Sequence, residues 1–111
     1  MKKISYDFKN RTAIVTGGAQ GFGLDISKRL LESGASVIIW DNDPKATEVA
    51  IKDLDSPNLS SHVVDVSNYG EVDKTVKEIT KNSNIDILIN NAGITGPTAT
   101  LWEYDLSLIH I

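Results

Sequence analysis

The sequence predicts an α/β fold in which helices cover both faces of a doubly wound parallel sheet. Short apolar runs alternate with amphipathic segments along the 111 residues, which indicates strands separated by helices. Three of the four runs are nearly continuous in apolar residues, as strands buried on both faces are. The first run leads into a cluster that holds four of the eight glycines. The order β-α-β-α-β-α-β with right-handed crossovers then predicts the strand order 3-2-1-4.

The first strand and helix are predicted on either side of the glycine cluster. Residues 12–16, TAIVT, form a β-branched apolar run that ends at glycines, which suits a buried strand. After the cluster, Ile26 and Leu30 are four residues apart and therefore share one face of a helix. Gly34 stands where the end of a helix accepts a residue with positive φ.

The second strand and helix meet at an Asp-Asn-Asp-Pro sequence. Residues 36–40, SVIIW, form the strand, and the polar residues after it end the apolar run. Pro44 suits the first turn of a helix, with Asp43 as its N-cap. The helix should run to about Leu54. Its predicted inner face consists of Ala46, Val49, Ala50 and Leu54.

A third strand and helix, and then a fourth strand, complete the pattern. The third strand is predicted over residues 60–66, and Ser67 or Asn68 caps the following helix. Residues 82–84 end that helix, and the apolar run IDILIN predicts a fourth strand over 85–90. Apolar residues recur along the helix at three- and four-residue steps, so they are predicted to face the core: Tyr69, Val72, Val76 and Ile79.

Composition excludes several classes of protein. The chain has no cysteine, which excludes a disulfide scaffold, a thiolate metal site and a cysteine nucleophile; no metal site is predicted. A net charge of −4 disfavours binding to nucleic acid or to an anionic membrane. No apolar run approaches the ~18 residues of a membrane span. The N-terminus lacks the apolar region of a secretory signal, so we expect a cytoplasmic protein.

The glycine cluster has the form of a phosphate-binding loop. Gly17 allows the chain to leave the strand in a tight turn, and Gly21 allows the backbone to approach a pyrophosphate. Gly23 is expected to let the helix pack closely on the sheet. The helix N-terminus offers free N–H groups and a partial positive charge to phosphates. An ordinary turn is the alternative, but the position between a strand and an amphipathic helix favours a dinucleotide site.

Asp41 is the candidate residue for the adenosine ribose. It ends the second strand, 20 residues after Gly21, where a carboxylate can accept hydrogen bonds from both ribose hydroxyls and repel a 2′-phosphate. No Lys or Arg follows it before Lys45, and Gln20 in the loop is uncharged. These features favour NAD over NADP, although an aspartate in this sequence could equally serve a turn.

Two further strand ends carry candidate cofactor contacts. Asp65 could accept a hydrogen bond from an adenine amine while Val66 lines the base; alternatively, Asp65 caps a helix. At residues 90–93, two asparagines precede two small residues, which suits a loop passing under a cofactor. A plain turn is the competing interpretation of that segment.

Two motifs together resemble the short-chain dehydrogenase/reductase family. Residues 16–23 resemble its T-G-x-x-x-G-x-G loop, and residues 90–93 resemble its N-N-A-G motif, over a similarity that extends from residue 8 to about 105. The resemblance implies a Rossmann-type NAD(P)-binding half-domain over 1–105, similar to 3-oxoacyl-carrier-protein reductases and sugar or polyol dehydrogenases. Asn90 would brace the sheet. The implied cofactor-binding residues are Gly17, Gly18, Gln20, Gly21, Phe22, Gly23, Asp41, Asp65, Val66, Asn91, Ala92 and Gly93.

The family chemistry is a reversible hydride transfer between a nicotinamide and a small or acyl-linked alcohol or ketone. The resemblance implies acid–base catalysis by a tyrosine whose pKa is lowered by a nearby lysine. The two residues would be arranged as Y-x-x-x-K. None of Tyr6, Tyr69 and Tyr104 has a lysine four residues on, so no catalytic residue is assigned and the chain alone is expected to be inactive. The full-length protein is expected to be a dimer or tetramer. A non-catalytic dinucleotide-binding module, sensing or structural, is the alternative function.

The resemblance also implies a fold cut short after the fourth strand. Residues 106–111 read LSLIHI, which is what CTGTCTCTTATACACATC encodes, and that string resembles the end sequence of a transposase adapter. We therefore expect these residues to be a non-native tail and the natural gene to continue. A natural apolar strand or helix start is the alternative.

Overall fold

A computed structural model describes residues 8–91 of the chain. Strands and helices alternate along these residues, which confirms the predicted order. No helix within residues 8–91 combines the length and the hydropathy that crossing a membrane would need. The elements are β1 (Thr12–Thr16), α1 (Gly21–Glu32), β2 (Ser36–Asp41), α2 (Pro44–Leu54), β3 (Leu59–Val63), α3 (Tyr69–Thr80) and β4 (Ile87–Asn90).

The four strands form one parallel sheet in the order β3-β2-β1-β4, as predicted. Thr16 at the end of β1 is in register with Trp40 on one side and with Asn90 on the other. The carboxyl ends of the three strands are therefore level. The strand order reverses between β1 and β4, and ligands of doubly wound sheets bind at such a point.

Apolar side chains are buried on both faces of the sheet, which confirms the predicted layers. On one face, Ile14, Ile38 and Trp40 pack with Val72 and Val76 of α3. Successive strand residues point to opposite faces, so the intervening residues form the other core with α1 and α2. That second cluster includes Ala13, Val15, Val37, Ile39, Leu30 and Ala50.

Three element boundaries differ from the prediction by two residues or more. Helix α1 already begins at Gly21, and Gly34 after it has φ +95°, as its position predicts. Strand β3 ends at Val63 rather than at residue 66, although Val64 N still donates to Asp41 O at 3.1 Å. The chain then leaves the sheet. Val64 and Val66 are still buried, although they no longer belong to a strand.

Strand β4 begins at Ile87, two residues later than predicted. Asp86 precedes it and pairs with Thr12 through both its backbone and its side chain. Its N–H donates to Thr12 O at 2.9 Å, and its Oδ2 accepts from Thr12 N at 2.9 Å. Arg11 Nη1 lies 3.6 Å from the other carboxylate oxygen. A side chain thus replaces a backbone partner at this end of the sheet.

Two predicted core residues are exposed. Val49 is 56% exposed, because the inner face of α2 is formed by Ala46, Thr47, Ala50 and Leu54. Tyr69 is 50% exposed because it is the first residue of α3 and precedes the turn that meets the sheet. The remaining predicted positions of α3 are buried.

Candidate functional site

The candidate site lies at the carboxyl edge of the sheet, where the ends of β1, β2 and β4 meet. The turn after β1 is attached to β2 by a hydrogen bond from Gly17 N to Trp40 O, 2.7 Å long. The glycine loop therefore passes directly over the end of β2, next to Asp41.

Two of the glycines have backbone angles that favour glycine. Gly17 has φ +64° and Gly21 has φ +52°, both in the left-handed region that other residues rarely adopt. A Cβ on Gly21 would meet no heavy atom within 4 Å. The space in front of Gly21 is therefore open to a ligand, which fits the predicted approach of a phosphate to the backbone.

The other two glycines of the cluster are needed for close packing. A Cβ on Gly23 would collide with the carbonyl oxygen of Gly17 and would lie 2.7 Å from Asn91 Nδ2. Gly23 is thus packed against the glycine loop and against Asn91, just after β4. The sequence had predicted a contact with the face of the sheet instead. Gly18 makes that closer approach to the strands, since its Cβ would lie 2.8 Å from Val15 O and 3.0 Å from Ile39 Cγ1.

The N-terminus of α1 has no side-chain cap. Its N-cap residue, Gln20, makes no capping hydrogen bond, and the first turn contains no acidic residue. Phe22 in that turn is 80% exposed. The first N–H groups of a helix have no partner within the helix and carry a partial positive charge. This end of α1 can therefore receive an anion.

Asp41 is held against the glycine loop. The residue is only 6% exposed; its Oδ2 accepts from Ala19 N at 3.3 Å and its Oδ1 from Asp43 N at 3.0 Å. The turn interpretation is confirmed, because the carboxylate accepts from Asp43 N at the turn into α2. The carboxylate also faces the glycine loop through Ala19 N, and the ribose contact stays a prediction. Within residues 8–91, none of the ion pairs includes Asp41, so its negative charge is not offset by a neighbouring cation.

Asp65 lies in the loop after β3 rather than at the strand end. Its Oδ1 accepts from Ser67 N at 2.9 Å and from Ser67 Oγ at 2.6 Å. These two hydrogen bonds, chiefly the one from the side chain, hold the pKa of Asp65 below its usual range. Asn68 rather than Ser67 caps α3, through its Oδ1 and Glu71 N. The side chain of Val66 is buried in the core beside Trp40.

The end of β4 is joined to β1 through Thr16. The Thr16 hydroxyl donates to Asn90 Oδ1 at 3.0 Å and accepts from Asn91 N at 2.8 Å. Asn90 therefore braces the sheet, and Asn91 is placed next to Gly23. The predicted contacts at Ala92 and Gly93 lie outside the described residues, as do Tyr6, Tyr104 and the tail at 106–111.

Two polar residues of the site were not identified from the sequence. Thr16 is fully buried and links two strand ends, and the signal for it was a hydroxyl residue ending an otherwise apolar strand. Ser27 is fully buried on α1 and contacts carbonyls of the glycine loop. Its signal was a serine one helical turn after the last glycine of the cluster, on the inner face with Leu30.

These groups fit a dinucleotide. Uncapped N–H groups at α1, beside open space at Gly21, match an anionic pyrophosphate. A fixed carboxylate at the end of β2 matches the two hydroxyls of a ribose. The two features are adjacent, as the two parts of one ligand require.

Comparisons with known proteins show the family to which the chain belongs. The family model for short chain dehydrogenase matches residues 11–107. Among curated proteins, the 2-dehydro-3-deoxy-L-rhamnonate dehydrogenase (NAD(+)) of Sphingomonas sp. strain SKA58 is 37% identical over 100 residues, which cover 87% of this chain and 39% of that protein.

Two solved structures illustrate the likeness in fold. The 3-ketoacyl-(acyl-carrier-protein) reductase from Brucella melitensis, complexed with NADH, is 32% identical with a TM-score of 0.73 over 79% of this chain and 36% of that one. The Pseudomonas aeruginosa RhlG/NADP complex is 31% identical with a TM-score of 0.73 over 88% of this chain and 40% of that one.

The matched region includes all the described elements, from β1 to β4. This chain spans well under half the length of each of these three relatives. The family consists of oxidoreductases that bind a nicotinamide dinucleotide and act on small molecules. The chain therefore belongs to the short-chain dehydrogenase family.

Proposed function

We propose that this chain, over residues 1–105, is the NAD-binding half-domain of an enzyme that transfers a hydride between nicotinamide and a small or acyl-linked alcohol or ketone. The observation that carries the proposal is the buried carboxylate of Asp41 beside an uncapped, glycine-lined helix start. The family match and the resemblance to acyl-carrier-protein reductases and sugar dehydrogenases support it.

In this proposal the residues of the chain bind and orient the cofactor. N–H groups in the first turn of α1 stabilise the pyrophosphate, and the missing Cβ of Gly21 lets the phosphate approach. Asp41 accepts hydrogen bonds from the adenosine ribose, and Asp65 with Val66 contacts the adenine. Asn91, Ala92 and Gly93 are the proposed contacts of a cofactor ribose. When bound, the nicotinamide supplies or accepts the hydride.

The preference for NAD rests on the charge of Asp41. A 2′-phosphate would lie next to a carboxylate that is fixed by two N–H donors and has no ion-pair partner within residues 8–91. Like charges at such a short distance repel strongly where water is partly excluded. The relatives include an NAD(+)-named dehydrogenase and solved complexes with NADH and with NADP, so Asp41 is the support for NAD in this chain.

Calorimetric titration of NAD and NADP tests this proposal. We expect the chain to bind NAD more tightly, and Asp41→Asn to reduce the NAD to NADP affinity ratio by at least about tenfold. Asp43→Asn is the matched control, because asparagine caps helices as well as aspartate and Asp43 caps α2 only. Tighter binding of NADP by the unaltered chain, or an unchanged ratio in Asp41→Asn, would contradict the preference.

The catalytic groups are proposed to lie beyond this chain, because none of its tyrosines starts a Y-x-x-x-K sequence. Residues 106–111 are proposed to be a non-native tail. Sequencing the same locus in unprocessed genomic DNA past the codon for Asp105 tests both points. We expect the reading frame to leave LSLIHI and to encode Y-x-x-x-K further on. A frame without that motif would favour a non-catalytic dinucleotide-binding module.

A further inference from the structure

We infer that Ser27 is a positioning residue, which holds the glycine loop and Asp41 in the arrangement that binds the dinucleotide. The inference rests on the proposed function, since it concerns how the same site is shaped. It assigns a role in cofactor binding to a side chain on the inner face of α1, away from the ligand itself.

Ser27 links the two ends of the glycine loop. Its side chain is 0% exposed, and its Oγ lies 2.8 Å from Gly23 O and 3.4 Å from Gly18 O. These two carbonyls flank residues 19–22, which include Gly21 and the start of α1, where the pyrophosphate is proposed to bind. One hydroxyl, shared between two acceptors, therefore links the two ends of the segment.

One peptide unit connects Ser27 to Asp41. The carbonyl of the Gly18–Ala19 peptide accepts from Ser27 Oγ at 3.4 Å, and the N–H of the same peptide donates to Asp41 Oδ2 at 3.3 Å. Because a peptide unit is planar, fixing its carbonyl also fixes the direction of its N–H. Hydrogen bonds in such a series polarise one another. The serine hydroxyl is thus connected through this peptide to one carboxylate oxygen of Asp41, while Asp43 N holds the other oxygen at 3.0 Å.

The two other buried hydroxyls on helices within residues 8–91 lack this connection. Thr47 Oγ1 donates to Asp43 O at 2.8 Å and Thr75 Oγ1 to Glu71 O at 2.7 Å, each four residues back along its helix. This bond is common for serine and threonine in helices and also accounts for the Ser27–Gly23 contact. The second contact, to a carbonyl outside the helix, distinguishes Ser27 among these three residues.

The first test uses NMR of the free chain and needs no cofactor. We expect Ser27→Ala and Asp41→Ala each to shift the Ala19 amide proton and to speed its exchange with solvent. Thr75→Val, which removes a matched buried hydroxyl, should leave Ala19 unchanged. If Ser27→Ala does not fold, Ser27→Cys provides the same comparison with a weaker donor. An unchanged Ala19 amide in the folded Ser27 variant would overturn the inference.

The second test is a double-mutant cycle for binding of ADP-ribose, measured by titration. We expect Ser27→Ala to weaken binding by about fivefold in the unaltered chain and by less than about twofold in the Asp41→Ala background. A merely structural role would weaken binding equally in both backgrounds, which would overturn the inference. If the unaltered chain binds no ADP-ribose, the proposed function fails, and the positioning role fails with it even where the Ala19 amide shifts.

Discussion

Helices α1 and α2 follow neighbouring strands and cover the same face of the sheet, yet their N-termini are built differently. At α2, the Asp43 carboxylate accepts from Lys45 N at 3.0 Å and from Ala46 N at 3.1 Å, and Pro44 contributes no N–H. At α1, the N-cap residue Gln20 has the extended backbone of a cap, with φ −142° and ψ 151°, but makes no side-chain hydrogen bond.

The difference separates a helix start whose N–H groups are bound by its own cap residue from one whose first N–H groups have no side-chain cap. A side-chain cap contributes about 1 kcal/mol to helix stability, and α1 does without it. In exchange, its N–H groups and its partial positive charge remain available to an anion. Among the helices of residues 8–91, the uncapped start is also the one that follows the glycine cluster. The absence of a capping side chain at the start of α1 is therefore informative about function.

The largest effect is expected from alanine at the third position of α1. A Cβ on Gly23 would collide with Gly17 O, so Gly23→Ala should lower the free energy of unfolding by about 3 kcal/mol. Gly70→Ala is the control, because Gly70 occupies the second position of α3 and its Cβ would meet only Asn68 Oδ1 at 3.4 Å. That change should raise stability by about 0.5 kcal/mol. Urea denaturation measures both, and equal effects would contradict the packing described at α1.

A smaller effect is expected when α1 is given the kind of cap that α2 has. Gln20→Asp should raise the free energy of unfolding by about 0.5 to 1 kcal/mol and should weaken ADP-ribose binding by about tenfold, because the carboxylate both occupies the N–H groups and repels phosphate. Gln20→Asn adds a cap without charge and should weaken binding less.

Asp43→Ala, the corresponding change at α2, should lower the free energy of unfolding by about 1 kcal/mol without changing the affinity for ADP-ribose. Denaturation and titration check these values, and an unchanged affinity in Gln20→Asp would mean that the α1 terminus does not hold the ligand.

The smallest effect extends the comparison to the start of α3. Ser67→Ala removes the main cause of the lowered pKa of Asp65, so that pKa should rise toward its ordinary value. Because the folded pKa lies below the unfolded one, the associated stabilisation is present above the unfolded pKa and is lost as pH falls through the folded pKa. NMR titration of the Asp65 carboxyl measures the change. Ser60→Ala, at an exposed position of β3, should leave the pKa as it is.

Much of the fold could be predicted because it depends on patterns local in the chain. Apolar runs and spacing were sufficient for the sequence of strands and helices along the chain, and the strand order followed from the doubly wound pattern of dinucleotide-binding sheets. The ends of β3 and β4 were not predictable, because they depend on partners across the sheet, such as the Asp86 side chain bonded to Thr12 N. Helical periodicity also failed at Val49 and Tyr69, since it does not determine how far a face extends over the sheet.

For the site, spacing located the glycine loop and Asp41, and the structure places them in contact through Ala19 N. The hydroxyls of Thr16 and Ser27 escaped prediction because their roles depend on which carbonyl or amide tertiary packing brings near them. The same reason applies to Gly23, whose closest neighbours are Gly17 O and Asn91 Nδ2. A sequence pattern indicates that a glycine is required at a position, but it does not show which neighbouring atoms a Cβ there would collide with.

The side-chain bonds at the two ends of the β1–β4 pair have a mechanical consequence. Asp86 clamps the amino end through Thr12 N, and Thr16 clamps the carboxyl end through Asn90 Oδ1 and Asn91 N. A slip of one residue would break both clamps together and would turn each side chain of β4 to the opposite face. The two strands therefore resist sliding past each other along their length. As a result, the distance between the glycine loop after β1 and Asn91 after β4 is held constant.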